Sequence, residues 1–238
     1  MIRAFRFRGL QLIGCLLLSL WGNIVFAADG GISLGQTRVV FNETDRARTV
    51  LVKNDGDKTY LIQSLVQLGP DNKQTAPFIV TPPLFRLEPN SRNLLRIIRQ
   101  NEGTLSQQNE SVFYLSVLAI PAQASALTEQ AQLSMGVRFL IKLFYRPDGL
   151  NMTPEDAYCK LQFTQVDEGI RVENPTPYYL TLGQLNINHR AVSFEKHPAM
   201  IAPHSNQVYP AISPLVMADW RVITDYGILS SKCEYLPP

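Results

Sequence analysis

The side chains able to do acid–base or nucleophilic chemistry are scattered, and their spacing builds no familiar centre. His189, His197 and His204 fall in a turn-rich stretch, with no cysteine or acidic cluster at zinc-type spacing. There is no Gly-x-Ser-x-Gly elbow, no phosphate-cradling glycine loop and no cysteine–histidine signature. Solvated histidines are the ordinary reading, no metal or organic cofactor is called for, and the chain reads as a non-enzyme. Two cations draw more notice. Lys142 lies inside the apolar run of residues 139–145, where an unpaired ammonium is costly to bury. Arg38 leads the apolar Val39, Val40 and Phe41, and taken alone is a strand cation that discourages edge pairing.

The element that carries Lys142 is the most telling in the chain. Leu133, Met135, Val137 and Phe139 alternate with other residues, and the run ends at Arg146-Pro147. Period-2 alternation marks a half-buried strand, here residues 133–145. Such a row is ordinarily core. If it faces outward, the strand is built to be completed by another protein.

The N-terminus has the form of a secretory signal. Arg3, Arg6 and Arg8 precede an apolar stretch at residues 10–21, and Val25-Phe26-Ala27 supplies a small-x-small site. We read residues 1–27 as the signal, with cleavage after Ala28 the neighbouring choice. Cys15 gives a faint lipoprotein box, but apolar residues continue past it. Without the signal, 19 basic and 20 acidic residues remain, so charge gives no support to nucleic-acid or anionic-membrane binding. No second apolar run approaches transmembrane length. Cys159 and Cys233 are left as an even pair in an exported chain, which reads as a disulfide, two reduced thiols being the other reading.

The remaining residues repeat one grammar twice. Apolar alternations at 49–53, 60–65, 94–99 and 112–118 are punctuated by Asn54-Asp-Gly, Gly69-Pro-Asp-Asn and Pro89-Asn-Ser. A second set follows at 159–163, 169–172, 178–182, 191–194, 220–224 and 227–229. Short strands at this spacing indicate an all-β sandwich. Two Pro and a Gly within residues 146–154 mark the boundary, giving domains 28–146 and 147–238. The only helical candidate is a turn or two at residues 123–129, and Thr81-Pro82 is a candidate cis bond.

At this point the residues carry a family resemblance. Gly31-Ile-Ser-Leu-Gly-Gln-Thr-Arg38, Thr81-Pro-Pro-Leu-Phe-Arg-Leu-Glu-Pro89, Glu110-Ser-Val-Phe-Tyr114 and Ile120-Pro121 occur in order. Ile141-Lys-Leu-Phe-Tyr-Arg-Pro147, Asn174-Pro-Thr-Pro-Tyr-Tyr179 and Asp225-Tyr-Gly227 complete the series. The chain resembles the periplasmic chaperones of the chaperone–usher pilus pathway. Ser116 stands where that family usually has Asn, and Leu65 where Trp is common.

The resemblance implies two immunoglobulin-like β-sandwiches set at an angle around a cleft. It implies a periplasmic chaperone that binds pilus (fimbrial) subunits and delivers them to an outer-membrane usher. The strand of residues 133–145 would complete an unfinished subunit, with Leu133, Met135 and Val137 as the donated apolar row. Arg38 and Lys142 would bind the subunit's C-terminal carboxylate, and Glu110, Arg146 and Asp225 would steady the domain interface. Strict alternation puts Lys142 on the face opposite the apolar row, so either a bulge intervenes or the two functions use different faces. Two other classes compete: a two-domain adhesin or carbohydrate-binding module, which needs exposed aromatic platforms, and an exported hydrolase whose triad assembles only in space.

Overall fold

In the first half of the chain, alternation decides which way each strand faces. Val50 and Val52, Phe78 and Val80, and Leu95 and Ile97 are buried, while the residues between them point outward. The computed structural model describes residues 31–72, 74, 76–100, 105–122, 135–211 and 214–237. The signal reading at 1–27, the helical candidate at 123–129 and Leu133 therefore lie outside the described residues. Among the described residues no helix is long and apolar enough to cross a membrane.

Nine strands make the first sandwich. They are β1 (Ile32–Leu34), β2 (Arg38–Asn42), β3 (Arg48–Asn54), β4 (Tyr60–Gln67), β5 (Phe78–Thr81), β6 (Leu84–Leu87), β7 (Ser91–Arg99), β8 (Ser111–Pro121) and β9 (Val137–Arg146). One sheet runs β1-β3-β7-β5 and the other β2-β9-β8-β4-β6. Phe78 packs edge-on against both Phe41 and Phe113, with ring centroids 5.3 Å apart in each pair, and so pins the sheets together. The Thr81–Pro82 bond is cis.

The second sandwich pairs a sheet of β10 (Gln162–Val166), β11 (Gly169–Asn174) and β15 (Ser205–Tyr209) with another built on β12 (Leu180–Ile187). β13 (Arg190–Ala191), β14 (Met200–Ile201) and β16 (Ala218–Val222) pair with β12, and β17 (Cys233–Tyr235) pairs with β16. Trp220 is fully buried and donates its indole N–H to the Tyr158 carbonyl at 2.9 Å. Cys159 and Cys233 form a disulfide with Cα atoms 5.3 Å apart, tying the last strand to the segment before β10.

Several strand readings shift. The strand of residues 133–145 begins at Val137, leaving Met135 ahead of it. Residues 192–194 and 227–229 are not strands: Val192 adds a single backbone bond to Leu185 past the end of β13, and Leu229 makes an isolated bridge to Ile223. β15 was hidden by its composition, since Ser-Asn-Gln-Val-Tyr shows no apolar alternation and owes its strand to pairing with β11. The helix α1 (Pro154–Ala157) starts at a capping box. Asp156 N–H donates to Thr153 Oγ1, and the Asp156 carboxylate accepts from the Thr153 backbone.

Candidate functional site

Arg38 and Lys142 are brought side by side by the pairing of β2 with β9. The two strands run parallel, and Arg38 is the register partner of Lys142. Val39 and Phe41 on β2, and Leu143 and Tyr145 on β9, point into the core, so both cations share the outer face. Each also touches the second sandwich. Arg38 donates through Nη1 to the Ile223 carbonyl at 2.9 Å, and Lys142 Nζ lies 3.4 Å from Thr181 Oγ1. Among the described residues neither cation has an ion-pair partner, and Arg38 Nε is buried without any hydrogen bond. Burial lowers the Arg38 guanidinium from its ordinary value despite the nearby Asp225 and Glu110. Burial, and then the charge of Arg38, bring the Lys142 ammonium down to about 8. Of the two under-satisfied cations, Arg38 lines a cavity of about 600 Å³ together with Thr37, Arg48, Arg146 and Asp225, and Lys142 stands beside it on the neighbouring strand. The arrangement suits an anion with two oxygens.

Beyond Arg38, β2 has ended. Residues 137–141 of β9 pair only with β8, from Val137 opposite Ala119 to Ile141 opposite Leu115. Their other edge has no strand among the described residues. Along this stretch the core-facing row runs out of cover. Leu143 and Tyr145 are buried, Ile141 and Phe139 are partly buried against the core, Val137 is 52% exposed and Met135 is 74% exposed. Pairing with β8 continues without a register shift, so no bulge brings Lys142 round. The apolar row and the cations use different faces of one sheet.

Glu110, Arg146 and Asp225 meet. Arg146 donates to Glu110 Oε1 through Nε at 3.1 Å and Nη2 at 2.9 Å, and to Asp225 through Nη1 at 2.7 Å and Nη2 at 3.0 Å. Glu110 Oε2 accepts from the Tyr179 backbone N–H at 3.0 Å, so one carboxylate joins both sandwiches. Buried Asn174 sets up that contact. It donates to the Tyr178 carbonyl at 2.7 Å and fixes the turn that presents Tyr179. Gly227 follows the acid in a turn with φ +80, where a Cβ would strike Thr37 of the first sandwich. Burial pushes the Glu110 carboxyl up to about 7, against the pull of Arg146 and the Tyr179 amide. Burial works against the Arg146 charge as well, but its hydrogen bonds to Asp225 and the charges of both acids outweigh it and hold the guanidinium above its ordinary value.

Arg146→Ala is expected to cost about 3–5 kcal/mol, because it strands a carboxylate that is only 2% exposed. Urea unfolding checks this. An unchanged midpoint would show that the three charges do not act as a network.

Sequence reasoning missed Thr181 and the Ile223 carbonyl. A threonine in an apolar strand gives only a faint signal and a backbone carbonyl gives none. The histidines form no site. His189 and His204 are exposed, and His197 lies edge-on to Tyr209 at 6.3 Å.

Comparison with known proteins decides the family. Residues 31–151 match the pili and flagellar-assembly chaperone, PapD N-terminal domain, and residues 156–234 match the pili assembly chaperone PapD, C-terminal domain. This chain belongs to the pilus-assembly chaperones. The Escherichia coli chaperone protein FocC is 36% identical over 207 residues, covering 86% of this chain and 89% of FocC. Among solved structures, the E. coli chaperone DraB is 36% identical with a TM-score of 0.76, covering 86% of this chain and 95% of DraB. A chain of the Salmonella enterica SafA pilin–SafB chaperone complex is 29% identical with a TM-score of 0.77, covering 91% and 99%. The family is one of assembly chaperones rather than enzymes, and its fimbrial members are periplasmic. The adhesin and hydrolase alternatives are not favoured.

Proposed function

We propose that this pilus-assembly chaperone captures pilus subunits in the periplasm by donor-strand complementation and passes them to an outer-membrane usher. The observation that carries the reading is the edge of β9, open among the described residues and lying beside two cations that have no ion-pair partner among them. A subunit missing one strand has an open core and an unpaired edge, both prone to aggregate. Its C-terminal carboxylate would bind Arg38 and Lys142, a charge-assisted contact that fixes register. Residues 137–141 would then pair with the subunit by backbone hydrogen bonds. Met135 and Val137, with Leu133 ahead of them, would fill its groove. Each such side chain contributes about 1.5–3 kcal/mol gross when fully buried. The Glu110–Arg146–Asp225 network would keep the second sandwich where Thr181 and Ile223 hold the two cations.

The test is capture. A tagged form of the full chain, expressed with its signal in a piliated host, should retain a pilus subunit from periplasmic extract as a discrete one-to-one complex. That subunit should fail to refold from denaturant unless the chain is present. Unaided refolding, or a purified chain that leaves the subunit aggregated, would overturn the reading.

A further inference from the structure

One side chain on β9 is absorbed neither by the core nor by the proposed anchor. Arg138 follows Val137 on the outer face, at the beginning of the stretch that, among the described residues, pairs with β8 alone. Its guanidinium spans two neighbouring strands. Nε donates to Ser116 Oγ on β8 at 2.8 Å, and Nη2 donates to Gln67 Oε1 on β4 at 2.6 Å. Both acceptors are buried, Ser116 at 6% exposure and Gln67 at 1%. The Gln67 amide cannot turn away, because its Nε2 donates to the carbonyls of Gly69 and Pro70. Its oxygen is therefore aimed at Arg138.

We propose that Arg138 is a positioning residue that keeps the open edge of β9 extended and in register before any subunit arrives; its role in capture rests on the donor-strand reading. A strand end with one neighbour and exposed side chains belongs to the least protected part of a fold. Residues 137–141 meet that description, since β2 covers β9 only from Lys142 onward. The Arg138 fork adds two charge-assisted hydrogen bonds, stitching β9 to β8 and β4 at the point where the ladder is weakest. The energetic logic is preorganisation. A subunit binds only the extended fraction of the edge, so its apparent affinity falls by that fraction. Once bound, the subunit supplies the missing neighbour and the clamp matters little. Arg138 should therefore govern how fast subunits are captured rather than how long they stay.

The substitution Arg138→Met keeps the apolar stem and removes the fork, and Ser116→Ala removes one acceptor. Hydrogen exchange on the free full-length chain should show amides in residues 137–141 exchanging at least tenfold faster in both variants, with β3 and β7 unchanged. The second substitution should add little to the first, since the two share one interaction. With the subunit retained by the wild-type chain as probe, association should slow at least fivefold while dissociation stays within twofold. Unchanged exchange at residues 137–141 would overturn the proposal. So would faster exchange across the whole sandwich with a lower melting point, the mark of a general structural residue. Faster dissociation with unchanged exchange would instead assign Arg138 to direct subunit contact. If the wild-type chain captures no subunit, the donor-strand reading fails, and with it the capture role, while the exchange result still decides whether the clamp exists.

Discussion

Met135→Glu is expected to leave the free chain folded and to weaken its complex with a pilus subunit at least 100-fold. Met135 is 74% exposed and precedes β9, so it contributes nothing to either core. An apolar residue in an alternating row is ordinarily core, and a charge there would unfold the domain. Here the row has already left the core by Val137. In the complex the same position is proposed to lie in the subunit's open groove. The variant would lose the roughly 1.5–3 kcal/mol gained by burying methionine and would add the cost of desolvating a carboxylate. Together these exceed the ~2.7 kcal/mol that a hundredfold loss represents. Ile141→Glu is the contrasting control. Ile141 shares the face but packs against the core, so its variant should lose stability even without a subunit. Thermal melting of both free variants, followed by subunit titration of Met135→Glu, checks the pair. If Met135→Glu unfolds in isolation, Met135 is core and the donor assignment fails.

That contrast marks how far the sequence could be read. Period-2 alternation predicts a strand over residues 133–145, of which the part from Val137 onward forms one, and it reveals which residues share a face, because a strand has only two faces. It does not reveal where along the strand one face stops being core. That point is set by the length of β2, a strand more than ninety residues earlier, whose first residue Arg38 lies opposite Lys142. The joining of Glu110, Arg146 and Asp225 is likewise invisible to spacing. They come from the start of β8, the end of β9 and the turn after β16, and family resemblance alone grouped them. Backbone partners such as the Ile223 carbonyl and the Tyr179 amide leave no trace in residue type. Arg138 was legible only as an alternating polar residue, because its meaning depends on Ser116 and Gln67 being adjacent across three strands. The two-residue β13 and the polar β15 show the other limit, where pairing rather than propensity makes the strand.

Arg38→Ala and Lys142→Ala should each weaken subunit capture at least tenfold, and the double variant should be little worse than either. A charge-assisted hydrogen bond contributes about 1.5–3 kcal/mol, which sets the single effects. Two cations on one carboxylate hold it as a unit, so removing the second costs less once the first is gone. Neither side chain enters a core, and melting should change little. The pH dependence separates this account from a general loss of positive charge. Lys142 titrates near 8 in the free chain because it is buried and faces Arg38. A bound carboxylate favours its charged form. Capture should therefore be flat below pH 8 and fall above it, approaching tenfold per pH unit as each binding event has to recruit a proton. Stability moves the other way. The unfolded ammonium, with its ordinary value of 10.5, holds more protons than the folded one between pH 8 and 10.5, so the fold gains stability as pH rises through that window. Weaker capture above pH 8 in a chain that melts no lower cannot be ascribed to unfolding. Lys142→Met should abolish the pH dependence, while Arg38→Ala should keep it with the fall moved to higher pH, because Arg38 itself does not deprotonate in this range but its charge helps to lower Lys142. Subunit titrations at pH 7, 8 and 9 on these two variants and the wild-type chain decide the matter. If Lys142→Met keeps the wild-type pH profile, some other group responds to pH and the carboxylate is not held by Lys142.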